Sequence, residues 1–180
     1  MIRSILHGQI RKLERAYGYD ATYLHEVLDV SVSATVKFML FQVMASHRGG
    51  VPKEAWFAAR MAATLSEDCG PCTQLGVDIA LQSGVSPQSI AALLRGDLEA
   101  AGPDAALGFR YGAAVANNAP EAVALAEAVA ERYGKRGLVS MSYGVATVRV
   151  YPALKRGLGH GAACTKIQVA NDSIIIRQAA

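Results

Sequence analysis

Glu54-Ala55-Trp56-Phe57-Ala58-Ala59-Arg60-Met61-Ala62-Ala63-Thr64-Leu65 runs through Ser66 into Glu67-Asp68-Cys69-Gly70-Pro71-Cys72. The first stretch is Ala-rich and holds no Gly or Pro, which favours a helix. Pro52 suits its first turn, because a missing N–H costs nothing there. A second helix is expected to start around Glu67–Pro71 and run to Gln82, with Gly84 as its terminator. The two cysteines therefore fall in a helix's first turn, with another helix rather than a strand leading into them.

Working outward, the pattern remains helical. Ile2, Ile5, Leu6, Ile10, Leu13 and Ala16 form one stripe over residues 2–17, ended by Gly18. Asp20 caps a helix over 21–29, and a third is expected through Ser31–Ser46 to Gly49-Gly50. Ser86-Pro87-Gln88-Ser89 starts a short helix ending at Gly96, and Pro103-Asp104 and Pro120-Glu121 open Ala-rich helices over 103–117 and 120–133. Residues 137–157 mix β-branched valines with helix formers and are read as a buried helix. The tail Asp172–Gln178 packs either as a strand-like segment or as a last helical turn. Period-2 alternation is scarce. These features predict one all-α, multi-helix bundle over 1–180, with a core motif at about 50–96, a second helical half at about 103–160, and a seam at Arg95–Pro103.

Composition narrows the function. The 180 residues are 52% hydrophobic and 18% charged, which excludes disorder. A net charge of +3 is too small for a nucleic-acid footprint. The basic excess lies in residues 131–180, with 8 basic residues against 2 acidic, where solvated helix faces or an anionic partner both account for it. No signal-peptide pattern opens the chain. The apolar run Val30–Ala45 is interrupted by Lys37 and is shorter than the roughly 20 residues a membrane span needs. A cytoplasmic protein without membrane contact is expected. Three cysteines do not make a disulfide scaffold and leave one thiol over.

The chemistry rests on Cys69 and Cys72. Residues three apart on a helix place their Cα atoms roughly 5 Å apart, inside the disulfide window, so the pair can bond reversibly. The helix N-terminus stabilises a thiolate, the form that exchanges disulfides or attacks a peroxide, and Cys69 lies closest to it. Glu67 and Asp68 either oppose that effect or act as the base that takes the thiol proton. Pro71 stiffens the turn. The same residues also fit two inert cysteines at a helix junction, or half of a zinc site completed by His160 and Cys164. His7, His25, His47 and His160 are widely spread, none at ligand spacing to another, and no metal site is expected. Trp56 and Phe57 serve as core or as pocket wall. Small residues in Tyr143-Gly144-Val145-Ala146-Thr147 suit close helix packing, and no Gly-rich strand-to-helix fingerprint suggests an organic cofactor.

Cys-Gly-Pro-Cys is also the thioredoxin tetrapeptide, but there a strand delivers it, and here the preceding segment is helical. The context resembles the carboxymuconolactone decarboxylase and alkylhydroperoxidase D superfamily. In that family an Ala-rich helix leads into Cys-x-x-Cys, and Val77–Leu93 and Leu138–Gly159 are similar to its later helices. The resemblance implies an all-α fold that assembles into trimers or hexamers, and a cysteine pair that reduces hydroperoxides and is recycled by a thiol reductant system. Gly76 stands where the family has a His four residues after the second cysteine, and Phe57 where it has a Glu twelve residues before the first. Glu54 and Glu67 are the candidates for the missing base. Because each acid–base group contributes roughly 10²–10⁴-fold, slow or redirected turnover is expected. The superfamily's other activity, decarboxylation of a lactone acid, needs no cysteine pair. A noncatalytic helical scaffold or redox sensor is the remaining alternative.

Overall fold

The computed structural model describes residues 2–161 and 166–176, and within them the fold is all-α with one small hairpin. Helices α1 (Ile2–Tyr17), α2 (Thr22–Val30) and α3 (Val32–Ala45) come first. Asp20 Oδ1 accepts from the Thr22 amide (3.0 Å) and Ser31 Oγ from that of Ala34 (3.1 Å), so a polar side chain marks the start of both α2 and α3. Then follow α4 (Lys53–Leu65), α5 (Gly70–Gln82), α6 (Pro87–Arg95), α7 (Leu98–Ala101) and α8 (Pro103–Ala116). Gly96 ends α6 at φ 81°, a left-handed conformation that costs glycine nothing, and α7 occupies the expected seam.

Residues expected as two helices merge into α9 (Ala122–Gly157), and the break between them survives as a kink at Gly134 (φ 73°, ψ 169°). Over its described residues, 172–176, the tail resolves in favour of a strand, and 177–178 lie outside the described residues. β2 (Asp172–Ile175) pairs antiparallel with β1 (Lys166–Val169), with Ile167 opposite Ile174. The inward Ile167, Val169 and Ile174 bury themselves in the main core, and the Gln74 side chain clamps the β1 backbone, donating to Gln168 O and accepting from Gln168 N at 2.9 and 2.8 Å.

The main core is built around α4, which buries nine of its 13 residues and packs on α5, α8 and α9. Small side chains let the helices approach closely. Gly108 and Gly112 of α8 lie directly on the backbone of Ala55 and Ala59 of α4, so that two i, i+4 pairs of small residues form the seam. Gly144 of α9 plays the same part against Trp56 and Arg60, as expected for that small-residue stretch. A second core joins α1 and α2 through Leu6, Ile10, Tyr23 and Leu28, and Leu75, Leu154 and Leu158 pack against it.

Helix α3 is unusual. Its 14 residues carry one charge, Lys37, yet Val36, Met39, Leu40 and Val43 lie along one exposed stripe, Leu40 at 65% and Val43 at 72% exposure. Among the described residues no helix is long and apolar enough to cross a membrane.

Candidate functional site

The four-residue turn between α4 and α5 places the cysteines. Asp68 takes φ 48°, a left-handed conformation that Asp tolerates better than most residues, and this turns the chain sharply into α5. Cys69 is the extended N-cap residue of α5, and the Thr73 N–H and hydroxyl both donate to its carbonyl, at 2.9 and 3.0 Å. Cys72 sits one turn on. Their Cα atoms are 5.3 Å apart and their sulfurs are joined in a disulfide, the separation that helical spacing predicts.

The two sulfurs belong to different surroundings. Cys69 is buried, 5% exposed, and borders a cleft of about 220 Å³ with Glu67, Lys155 and Arg156. Cys72 is half-buried and walls a separate cavity of about 170 Å³ beneath α1, α2 and α3, whose apolar surface comes from residues such as Leu13, Leu24, Met61 and Val148. The N-terminal 45 residues, unexplained by the cysteine motif, thus build one wall of the space at Cys72. Phe57 and Gly76 line the same cavity as Cys72. Polar groups enter from Arg60, Tyr19, Tyr23 and Tyr151.

Glu67 is held rather than free. Its Oε1 accepts from Arg149 Nε and its Oε2 from Arg156 Nη2, both at 2.6 Å, while Arg156 Nη1 donates to the Glu67 carbonyl at 2.7 Å. Burial works to raise its pKa, but the hydrogen bonds and charges of the two arginines outweigh it and hold the carboxyl below its ordinary range. A carboxylate so stabilised accepts a proton poorly. Its position explains why it opposes a Cys69 thiolate less than its sequence neighbourhood suggests: two guanidinium groups offset its charge. Glu54 stands in the first turn of α4, roughly 16 Å of helix rise from the end that leads to the cysteines. The structure does not bring it to them.

The Glu67 geometry predicts a pH dependence. A carboxyl with a depressed folded pKa contributes stability that is complete above its unfolded value of 4.5 and is lost as pH falls through the lower folded value. Both guanidinium groups are 40–50% exposed, so solvent screening keeps the contribution on the order of 1 kcal/mol. Urea unfolding at pH 6 and pH 3 should show the wild type losing about that much more than Glu67→Gln. Identical acid limbs would contradict the pairing.

Several residues that sequence reasoning passed over surround the disulfide. Lys155 is 3% exposed, its ammonium lies 5.0 and 5.3 Å from the ring centres of Tyr19 and Tyr23, and burial pulls its pKa down. The Arg60 guanidinium stacks 4.2 Å over the Trp56 ring, and burial lowers its pKa to about 10. The available signal for Arg60 was a single cation inside an Ala-rich, core-forming helix. Trp56 is core, and its buried Nε1 has no hydrogen-bond partner among the described residues, whereas Phe57 is both core and cavity wall.

Histidines distant in sequence also meet. His7 Nδ1 and His25 Nδ1 are 2.6 Å apart, with Asp29 3.0 Å from His7 Nε2 and Glu14 3.4 Å from His25 Nε2, a network that ties α1 to α2. His160 instead reaches Glu26 at 2.7 Å, and Cys164 lies outside the described residues, so the zinc alternative gains no support from His160. Among the described residues no group of three or more His, Cys, Asp or Glu side chains is arranged to hold a metal.

Comparison with protein-family models, curated proteins and solved structures finds no match to this chain.

Proposed function

We propose that this chain is a thiol-dependent oxidoreductase of the alkylhydroperoxidase type, which reduces hydroperoxides through a reversible Cys69–Cys72 disulfide. The observation that carries the reading is a cysteine pair within bonding distance at the start of α5, one of whose sulfurs walls a cavity large enough for a small organic molecule. The Cys72 thiolate attacks the terminal peroxide oxygen. An S–O bond forms, the O–O bond breaks, and the alkoxide leaves and takes a proton to become the alcohol. The Cys69 thiol then displaces water from the resulting sulfenic acid and closes the disulfide. A dithiol reductant, oxidised to its own disulfide, restores both thiols.

Lys155 and the start of α5 favour the thiolate state of Cys69 needed for closure. With Phe57 and Gly76 at the cavity, proton transfer from a dedicated Glu and His is absent, and slow turnover is expected. The test is stoichiometric. Reduced protein given one equivalent of hydroperoxide should consume it and lose two titratable thiols per chain, and a dithiol should make the consumption catalytic. Persistence of both thiols would overturn the reading.

The thiol chemistry suits a cytoplasmic setting, where reductants keep such pairs cycling. Assembly with further copies of the chain is supported by the exposed Val36–Leu40–Val43 stripe, which a second apolar face would cover. Light scattering should give the mass of an oligomer, and Leu40→Lys should shift it toward the 19.0 kDa monomer. A monomeric wild type would contradict this assembly.

A further inference from the structure

Arg60 presents a problem of charge. Its guanidinium lines the cavity at Cys72, stacked on Trp56, and Nη1 donates to the Ala45 carbonyl at 2.6 Å at the C-terminal end of α3. That bond uses one of five N–H donors. No carboxylate among the described residues pairs with it, whereas Arg149 and Arg156 share Glu67; its partners are the Ala45 carbonyl and the face of the Trp56 ring. The side chain is half-buried, and burying part of a cation without a counter-charge is costly and lowers its pKa. The carbonyl contact takes one edge of the guanidinium and Trp56 takes one face, and Arg60 still lines the cavity.

The cavity supplies the other half of the description. Apart from Arg60, Gln42, two threonines and three tyrosines, its walls are apolar or aromatic, and its volume of about 170 Å³ is near that of cavities known to hold a benzene ring. We infer that the cavity beside Cys72 binds a small apolar carboxylate, the carboxylate paired with Arg60 and the hydrocarbon body against Phe57, Leu13 and Ile79. Resting on the peroxidase reading, the hydroperoxide reduced here is one that carries such a carboxylate. The group that Arg60 holds does not react. The redox step remains the one written above, with the alcohol product retaining its carboxylate.

Benzoate and benzyl alcohol are the probes, matched in size and differing in charge. Trp56 is the only tryptophan and lies directly under Arg60, so its fluorescence reports occupancy in the oxidised protein. Benzoate should bind roughly 10- to 100-fold more tightly than benzyl alcohol, the range expected when a charged hydrogen-bonded pair replaces a neutral contact. Arg60→Met should abolish that preference while leaving benzyl alcohol binding in place, and Arg60→Lys should retain part of it. If Arg60→Met does not fold, the wild-type preference and its reduction in Arg60→Lys decide the matter. Equal binding of the two probes, or a preference that survives loss of the guanidinium, would overturn the site. Benzoate should also compete with a neutral hydroperoxide during turnover. A preparation that prefers benzoate but turns over no peroxide leaves this site standing and removes the redox reading; turnover without the preference does the reverse.

Discussion

Gly108→Ala and Gly112→Ala are each expected to lower the melting temperature by about 6–12 °C, the shift that about 3 kcal/mol produces in a domain of this size. A Cβ at Gly108 falls 2.8 Å from the Ala55 carbonyl carbon and Cα, and one at Gly112 falls 2.7 Å from those of Ala59. Carbonyl oxygens of the same residues lie closer still. Overpacking usually costs about 1–3 kcal/mol because side chains give way. Here the obstructing atoms are backbone inside a buried helix, so relief requires the two helix axes to separate, and the cost belongs at the upper end. A control comes from Gly8, whose Cβ would meet nothing within 4 Å; Gly8→Ala in α1 should stabilise by about 0.5–1 kcal/mol through helix propensity. Trimming the facing side chain, as in Ala59→Gly, should not rescue Gly112→Ala, since the clash is not with a side chain. Differential scanning calorimetry of these variants and wild type decides it: a neutral Gly112→Ala would mean that α4 and α8 are not so close. The consequence reaches the site, because α4 is also the helix that carries Phe57, Arg60 and Thr64 to the cavity.

What the sequence made legible was whatever depends on local spacing. The Ala-rich run, the Pro52 and Pro71 positions and the three-residue cysteine interval all describe one or two turns of backbone, and α4, α5 and the 5.3 Å pair follow from them. The Gly134 break and the Ser86 start of α6 are local in the same sense.

Partners fixed by tertiary packing were not legible. Glu67 reads as a base when only its neighbours in the chain are considered, and becomes a paired carboxylate once α9 brings Arg149 and Arg156 across 82 and 89 residues. His7 and His25 look isolated at a separation of 18 and yet share a short contact, because the α1–α2 turn folds one helix back on the other. The tail was ambiguous because a two-stranded ribbon has only four residues per strand in which to express alternation, and its partner strand carried no turn signal stronger than Asn171-Asp172. Arg60 was passed over for a related reason. A cation in an alanine run looks like surface, and only the surrounding helices show that it faces inward.

Cys72→Ser should slow hydroperoxide consumption by roughly 10³-fold or more, the scale of loss when a nucleophile is removed, whereas Cys69→Ser should keep a burst of one equivalent per chain. The asymmetry follows from placement. Cys72 is half-buried and faces the apolar cavity where a hydroperoxide fits, whereas Cys69, 5% exposed at the N-cap, borders the cleft shared with Glu67 and Lys155 and a wider groove lined by Leu93, Phe109 and Ile175. Helix-end electrostatics by themselves favour Cys69 as the attacking thiolate, but a low pKa is of little use to a sulfur whose residue is only 5% exposed. With Cys69 replaced, the oxidised Cys72 has no neighbouring thiol to condense with, so the product of the burst is a sulfenic acid, one oxygen heavier by mass spectrometry and reactive toward a cyclic 1,3-dione. Wild-type protein in the same experiment should yield a disulfide, two hydrogens lighter than the dithiol. If Cys72→Ser retains the burst, the roles of the two sulfurs are reversed and the cavity is not the entry route. If both variants consume peroxide undiminished, the cysteine pair is not the reacting centre at all, and the electrostatics arranged around it serve only to hold α5 against α9.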